Sequence, residues 1–167
     1  PTISIGQGVA TTPIQMLISY ATLANRGIRP APALVLGMRD HGGVFEQVED
    51  GPARRVVSPS TSEELVGMIE EAVRSGTGTR AQVPGYRVAG KTGTAEVRGK
   101  ADTSLFVAFG PTRTPKHVIA AILEEAGFGS SVAAPLVARV LERIVEETVS
   151  EAPTIDERYA RSAALPL

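Results

Sequence analysis

The hydrophobic and polar residues of the chain follow patterns that predict three helices. Residues 13–25 are apolar on nearly every side, which predicts a helix at the centre of the fold. Thr12 is positioned to cap this helix, with Pro13 in its first turn and Gln15 completing a capping box. Gly27 suits the left-handed residue that follows the helix end.

A second helix is predicted to begin at Ser60, because residues 60–63 read as another capping box. Apolar residues then recur at helical spacing and predict one buried stripe, formed by Leu65, Met68, Ile69, Ala72 and Val73. The two glycines within residues 75–78 end this helix. A third helix is predicted over residues 131–148, and its buried face consists of Val137, Val140, Leu141, Ile144 and Val145.

The remaining patterns predict short strands. Residues 33–38 and 44–48 read as a hairpin around a turn at residues 41–43. Three more strands are predicted at 86–97, 104–109 and 117–124, and their short connections favour antiparallel neighbours. Together these elements predict an α+β fold, an antiparallel sheet covered by helices. Residues 1–149 are assigned to this fold, and the polar, aperiodic residues 150–167 to a flexible C-terminal tail.

Composition excludes several classes of function. The 167 residues include 17 basic and 18 acidic side chains, and this balance argues against binding nucleic acid through a basic surface. There is no cysteine, so disulfides and cysteine-ligated metals are excluded. His41 and His117 have no third ligand nearby in sequence, so no metal site is predicted. The first 25 residues are uncharged, but polar side chains interrupt them too often for a membrane span.

One segment matches a nucleotide-binding motif. Residues 85–92 read GYRVAGKT, the pattern of a phosphate-binding loop. That loop needs a strand before it and a helix beginning at the lysine, because the first amides of the helix bind the phosphate. Residues 75–82 do not read as a strand, and the residues after Lys91 are poor helix formers. An NTPase is therefore a remote alternative, and Lys91 is assigned to a strand.

A strand at this position brings chemical groups together. Lys91 and Gly93 face one side of it, while Thr92 and Thr94 face the other. Gly93 has no side chain, which leaves room for a ligand along the strand. An ammonium group and two hydroxyls beside open backbone groups suit an extended peptide with a carboxylate end. An edge strand protected by a lysine is the alternative that these residues leave open.

Residues 89–96, AGKTGTAE, resemble the Lys-Thr-Gly motif of the penicillin-binding transpeptidases. Further segments are similar, in order and spacing, to class B members of that family: SIGQG at 4–8, TPIQ at 12–15, YATLANRG at 20–27, SGTGT at 75–79, FVAFGP at 106–111 and AAP at 133–135. The resemblance extends from about Ser4 to Glu146. The sequence is thereby identified as a member of the class B penicillin-binding proteins.

The resemblance implies the penicillin-binding/β-lactamase-like transpeptidase fold and a D,D-transpeptidase that cross-links peptidoglycan stem peptides through a serine acyl-enzyme. It implies that Lys91 is an electrostatic and proton-network partner, and that Thr92 and Thr94 bind the terminal carboxylate. Gly93 would keep the strand clear, and the backbone N–H of Thr94 would form part of the oxyanion hole. The resemblance further implies penicillin binding, no cofactor, and a location at the extracytoplasmic (periplasmic) face of the cell membrane.

The implied partners are peptidoglycan stem peptides, β-lactam antibiotics and a missing N-terminal part of the same protein. The segment around Gln7 favours the elongation type of class B protein, and the division type is the alternative that the sequence leaves open. The elongation type adds a polytopic membrane glycan polymerase as a partner. No nucleic acid partner is expected.

Two of the family's three catalytic motifs are missing. None of Lys91, Lys100 and Lys116 has a serine three positions before it, so there is no Ser-x-x-Lys pair. Asn25 has no serine two positions before it. We therefore expect this chain to be the C-terminal portion of the domain, without the nucleophile and inactive alone. A non-catalytic β-lactam sensor or binding module and a class D-like β-lactamase are the alternatives. Leu105 stands where many relatives carry tryptophan.

Overall fold

The computed structural model describes residues 3, 6, 8–35, 37–48 and 51–150. Ser4, Ile5 and Gln7 of the SIGQG segment lie outside the described residues. The tail predicted at 150–167 also lies outside them after Ser150, so its flexibility stays a prediction.

Three α-helices and seven strands make up the described chain. In order they are α1 (Pro13–Ala24), β1 (Ile28–Arg29), β2 (Gly37–Arg39), β3 (Phe45–Gln47), β4 (Arg54–Arg55), α2 (Pro59–Arg74), a 3₁₀ turn (Thr79–Ala81), β5 (Ala89–Ala95), β6 (Thr103–Gly110), β7 (His117–Leu123) and α3 (Ala133–Ser150). The last three strands form one antiparallel sheet in the order β5-β6-β7, while β1 pairs with β4 and β2 with β3. The predicted α+β class is confirmed.

The hydrophobic core lies between the three-stranded sheet and α3. Phe106 and Ala108 of β6 lie two residues apart, so their side chains point to the same face of the sheet, and both are fully buried. They belong to one cluster with Val137 and Leu141 of α3 and Val73 at the end of α2. This packing fixes the sheet against both helices, and β5 lies at one edge of that sheet.

Helix α1 begins and ends as predicted, but its burial differs from the prediction. Thr12 Oγ1 accepts a hydrogen bond from the Gln15 N–H at 3.2 Å, and Gln15 Oε1 accepts one from the Thr12 N–H at 2.8 Å, which completes the capping box. Gly27 has a φ of +83°, in the left-handed region. The expectation of a central helix is wrong for the described residues: Ile14 is 42% exposed, and only Thr22 is buried. The helix lies against β6, β7 and α2, which leaves its other apolar positions partly open.

Helix α2 begins one residue before the predicted start, and its cap is Ser58 instead of Ser60. Ser58 Oγ accepts a hydrogen bond from the Thr61 N–H at 3.0 Å. Pro59 explains the shift, because proline is favoured in the first turn, where its missing N–H costs nothing. The predicted stripe is also partly wrong. Val73 is buried, but Leu65 and Met68 are exposed, because the inward face includes Ser62, whose hydroxyl donates to the Leu23 carbonyl at 2.8 Å.

The position of this cap gives a test of the fold. Replacing Ser58 with alanine is expected to lower the free energy of unfolding by about 1 kcal/mol, because it removes the side-chain acceptor of the first turn. The matched change Ser60→Ala removes a hydroxyl that bonds only the Ser58 hydroxyl in the described structure, and should cost less than about 0.5 kcal/mol. Denaturant unfolding of both variants checks this. Equal losses, or a larger loss for Ser60→Ala, would contradict the assigned cap.

Two other boundaries differ from the sequence prediction. Among the described residues, the first hairpin strand is confined to β2, although the pattern predicts a strand from residue 33. Pro30 and Pro32 lie just before, and proline cannot donate to a strand ladder. Helix α3 starts two residues later than predicted, and Val140 is 40% exposed, because the small residues Ala134 and Ala138 occupy the inward face beside Val137 and Leu141. None of the described helices is long and apolar enough to cross a membrane.

Candidate active site

The segment with the candidate chemistry forms β5, an outer strand of the sheet. Lys91 pairs with Val107, Gly93 with Leu105, and Thr94 with Ser104 across the β5–β6 ladder. The strand is shorter than the predicted 86–97, and its antiparallel ladder with β6 runs without a break from Ala89 to Ala95. The phosphate-loop alternative is inconsistent with this geometry, because Lys91 lies within a strand and not at the start of a helix.

The outer edge of β5 has no strand partner among the described residues. Among the described residues β5 pairs only with β6, so alternate backbone N–H and C=O groups point away from the sheet. Such an edge binds extended peptides through main-chain hydrogen bonds. The edge-strand interpretation and the binding-site interpretation are thus compatible in this structure.

Lys91 contributes the positive charge of the candidate site. Its side chain is exposed, and its Nζ donates to the Thr92 carbonyl at 3.0 Å and approaches Thr92 Oγ1 at 3.4 Å. No ion pair to Lys91 occurs among the residues described. The ammonium group is therefore available to an anionic ligand.

Both threonine hydroxyls of β5 meet neighbouring loops. Thr92 Oγ1 lies 2.9 Å from Thr77 Oγ1, in the connection that follows α2. Thr94 Oγ1 accepts a long hydrogen bond of 3.4 Å from the Gly129 N–H, in the connection between β7 and α3. Because that bond uses one acceptor site of the oxygen, the Thr94 hydroxyl hydrogen remains available for a ligand.

The loop between β7 and α3 packs closely against the strand. A Cβ built on Gly129 would lie 2.3 Å from both the Gly93 and the Leu105 carbonyl oxygens, so only glycine fits there. Next to this contact, the Ala133 N–H at the start of α3 donates to the buried Ser104 Oγ at 3.2 Å. These contacts fix the position of Thr94, which pairs with Ser104.

A second set of contacts fastens the same loop to the β5–β6 turn. Lys100 Nζ and Glu125 Oε1 form an ion pair at 2.8 Å. The Asp102 carbonyl accepts hydrogen bonds from the Ala126 and Gly127 N–H groups at 3.0 and 2.9 Å. The end of β5 is thereby tied to the loop that contacts Thr94.

Two large cavities lie elsewhere. One of about 640 Å³ is lined by α2 and residues 82–88, and another of about 720 Å³ lies between the end of α1, α2 and residues 112–116. Both include Glu70 and Arg87, whose side chains are paired at 2.5 and 2.9 Å. This pairing raises the pKa of Arg87. Neither cavity includes a residue of β5, so neither extends the candidate site.

The sequence alone did not indicate two residues of this site. Thr77 and Gly129 reach β5 from 15 and 35 residues away, to Thr92 and Thr94 respectively. In the sequence, Thr77 was marked only by its place in the SGTGT segment, which ends the second helix and resembles the family, and no pattern singled out Gly129.

Comparison with known proteins identifies the family. The family model "Penicillin binding protein transpeptidase domain" matches residues 1–142. The chain belongs to the penicillin-binding protein transpeptidase family. The resemblance seen in the sequence is therefore confirmed.

Named relatives of this transpeptidase family agree with the assignment. The chain is 32% identical to the peptidoglycan D,D-transpeptidase FtsI homolog of Mesostigma viride, over 93% of this chain and 30% of that protein. It is 35% identical to penicillin-binding protein PbpB of Mycolicibacterium smegmatis, over 79% of this chain and 24% of that protein. It is also 35% identical to the peptidoglycan D,D-transpeptidase MrdA of Acinetobacter baumannii, over 78% of this chain and 22% of that protein. The chain thus spans under a third of the length of these relatives.

Solved structures show the same fold. Penicillin-binding protein A of Mycobacterium tuberculosis, determined as an imipenem acyl-enzyme complex, aligns with a TM-score of 0.74 and 29% identity over 84% of this chain and 33% of that one. A peptidoglycan synthetase of Bifidobacterium adolescentis aligns with a TM-score of 0.77 and 26% identity, over 91% of this chain and 30% of that one. The expected transpeptidase fold is confirmed for the part present.

Proposed function

We propose that this chain supplies the substrate-binding strand of a peptidoglycan D,D-transpeptidase. The observation that carries the proposal is the arrangement on β5. An ammonium group without an ion pair among the described residues, two hydroxyls and a glycine lie there on a strand edge that has no strand partner in the described chain. Relatives that bear the name peptidoglycan D,D-transpeptidase support it, as does the acyl-enzyme complex of a structural neighbour.

Each residue of the strand has a proposed role. Lys91 provides positive charge and a proton-network partner in the cleft. Thr92 and Thr94 bind the terminal carboxylate of the stem peptide or of a β-lactam, because hydroxyl donors and a nearby cation complement a carboxylate. Gly93 leaves the strand clear for the ligand. The backbone N–H of Thr94 is one donor of the oxyanion hole.

The nucleophile is proposed to lie outside this chain, which contains no Ser-x-x-Lys pair. Its serine oxygen attacks the carbonyl carbon of the penultimate D-alanine, and the C–N bond to the terminal D-alanine breaks. The serine proton passes through a base to the departing amine. An amine of a neighbouring stem peptide then attacks the ester, which forms the cross-link and returns a proton to the serine.

The partners and location follow from this role. The proposed ligands are peptidoglycan stem peptides and β-lactam antibiotics, and the proposed partner within the protein is the part that carries the nucleophile. A polytopic membrane glycan polymerase is proposed as the external partner, with the site at the extracytoplasmic (periplasmic) face of the cell membrane. The names of relatives that act in peptidoglycan synthesis support the stem-peptide ligand. The polymerase and the location rest on the family resemblance of the sequence, and the polymerase in particular on the segment around Gln7.

The function is tested with the full-length protein that contains this chain. It should release D-alanine from a pentapeptide stem when an acceptor amine is present, and penicillin should abolish the release. The 167-residue chain alone should neither release D-alanine nor be acylated by penicillin. Acylation by penicillin without D-alanine release would favour the β-lactam sensor, and rapid turnover of the acyl-enzyme by water would favour a β-lactamase. No acylation and no release would contradict the proposal.

A further inference from the structure

The SGTGT segment between α2 and β5 brings a third hydroxyl to the candidate site. Thr77 Oγ1 lies 2.9 Å from Thr92 Oγ1, at normal hydrogen-bond distance for two hydroxyls. The role proposed for β5 so far makes no use of this contact.

The backbone on both sides of Thr77 is held rigidly. The N–H groups of Gly76 and Gly78 both donate to the Ala72 carbonyl at the end of α2, at 3.2 and 2.9 Å. A Cβ on Gly76 would lie 3.0 Å from Ala72 Cα and the Ala72 carbonyl oxygen, and one on Gly78 would lie 3.3 Å from the Phe106 ring. The two glycines therefore allow a close approach that larger residues would oppose, and Thr77 is presented to β5 from a fixed turn.

The residue before this turn is also anchored. The Ser75 N–H donates to the Glu71 carbonyl at 2.9 Å, and the Ser75 hydroxyl donates to the Glu71 carboxylate. Hydrogen bonds from Ser75 and Arg74 lower the pKa of the Glu71 carboxyl. The turn is therefore fixed by side-chain as well as backbone contacts.

A hydroxyl oxygen can accept two hydrogen bonds and donate one. Thr92 Oγ1 has two neighbours in the structure, Lys91 Nζ at 3.4 Å and Thr77 Oγ1 at 2.9 Å. An ammonium group can only donate. If Thr77 donates as well, both acceptor sites of Thr92 Oγ1 are filled, and its hydrogen is left to donate to a ligand.

We propose that Thr77 is a positioning residue of the carboxylate site: its hydroxyl donates to Thr92 Oγ1 and so directs the Thr92 hydroxyl hydrogen to the carboxylate of a stem peptide or β-lactam. The inference rests on the proposed function. Thr77 itself touches no reacting atom, and its effect on the ligand passes through Thr92.

The test compares Thr77→Val, Thr77→Ser and the wild type in the full-length protein, with benzylpenicillin and its methyl ester as probes. Valine keeps the shape of threonine without the hydroxyl, and serine keeps the hydroxyl. Thr79→Val, in the same segment, is the matched control, because no side-chain hydrogen bond of Thr79 occurs in the described structure. The saturation constant for the probe and the limiting acylation rate are measured separately, and thermal melting checks folding.

Thr77→Val is expected to lower the second-order rate of acylation by benzylpenicillin about tenfold, mainly through weaker binding. Thr77→Ser should restore it, Thr79→Val should leave it unchanged, and the methyl ester should react equally with all variants because it has no carboxylate. A wild-type rate in Thr77→Val, or an equal loss with the ester, would overturn the inference. If the wild type is acylated by neither probe, the proposed function fails and the inference fails with it.

Discussion

Replacing Lys91 with alanine in the full-length protein is expected to slow acylation by penicillin by about 100-fold to 1,000-fold. The physical reason is that the exposed ammonium group has no carboxylate partner among the described residues, so its charge is free to stabilise the anionic ligand and the negative charge that develops during attack. Folding should be unaffected, because the Lys91 Nζ contacts only Thr92 in the described structure. The time course of labelling by a fluorescent penicillin measures the rate.

Two variants control this experiment. Lys116→Ala removes another exposed lysine, in the connection before β7, and should leave the acylation rate unchanged. Lys91→Arg keeps the positive charge but changes its geometry and should give an intermediate rate. A wild-type rate in Lys91→Ala would assign β5 the role of a protected edge strand and would remove Lys91 from the site.

Replacing Gly129 with alanine is expected to lower the free energy of unfolding by about 1 to 3 kcal/mol. The added Cβ would lie 2.3 Å from the Gly93 and Leu105 carbonyl oxygens, and backbone atoms within a paired sheet cannot move aside cheaply. The loop would have to shift away from β5, and the hydrogen bond from the Gly129 N–H to Thr94 Oγ1 would be lost. Denaturant unfolding measures the stability, and the penicillin acylation rate should fall with it.

Gly67→Ala is the matched control for this substitution. Gly67 lies in α2, and a Cβ built on it meets no atom within 4 Å. Alanine there should raise the free energy of unfolding by about 0.5 to 1 kcal/mol, because it removes the conformational freedom of a glycine within a helix. If Gly129→Ala is as stable as the wild type, the close contact between the β7–α3 loop and the strand is wrong.

Local patterns predicted the centre of the candidate site. The strand period of two follows from backbone geometry alone, so the opposite faces of Lys91 and Thr92 needed no tertiary information. The capping box at Thr12 was predictable for the same reason, because its hydrogen bonds join residues three apart. The cap of α2 was also predictable from local sequence, because proline is favoured in the first turn and Pro59 directly follows Ser58. The capping-box pattern at Ser60 is the weaker indication.

The features that the sequence did not predict depend on contacts between distant segments. A run of apolar residues indicates that α1 has apolar surface, but not which neighbours cover it, and the described residues leave Ile14 42% exposed. The contact of Thr77 with Thr92 and that of Gly129 with Thr94 also arise from packing between separate elements. Such contacts leave no regular spacing in the sequence, and only the small residues that permit them are visible.

The most direct test of the central claim is the location of the acyl-enzyme. The full-length protein that contains this chain is incubated with benzylpenicillin, digested and mapped by mass spectrometry. We predict one penicilloyl adduct, on a serine outside these 167 residues. In Lys91→Ala this adduct should form much more slowly or not at all. An adduct on a serine of this chain, or no adduct at all, would contradict the claim that the chain supplies the binding strand to a nucleophile located elsewhere in the protein.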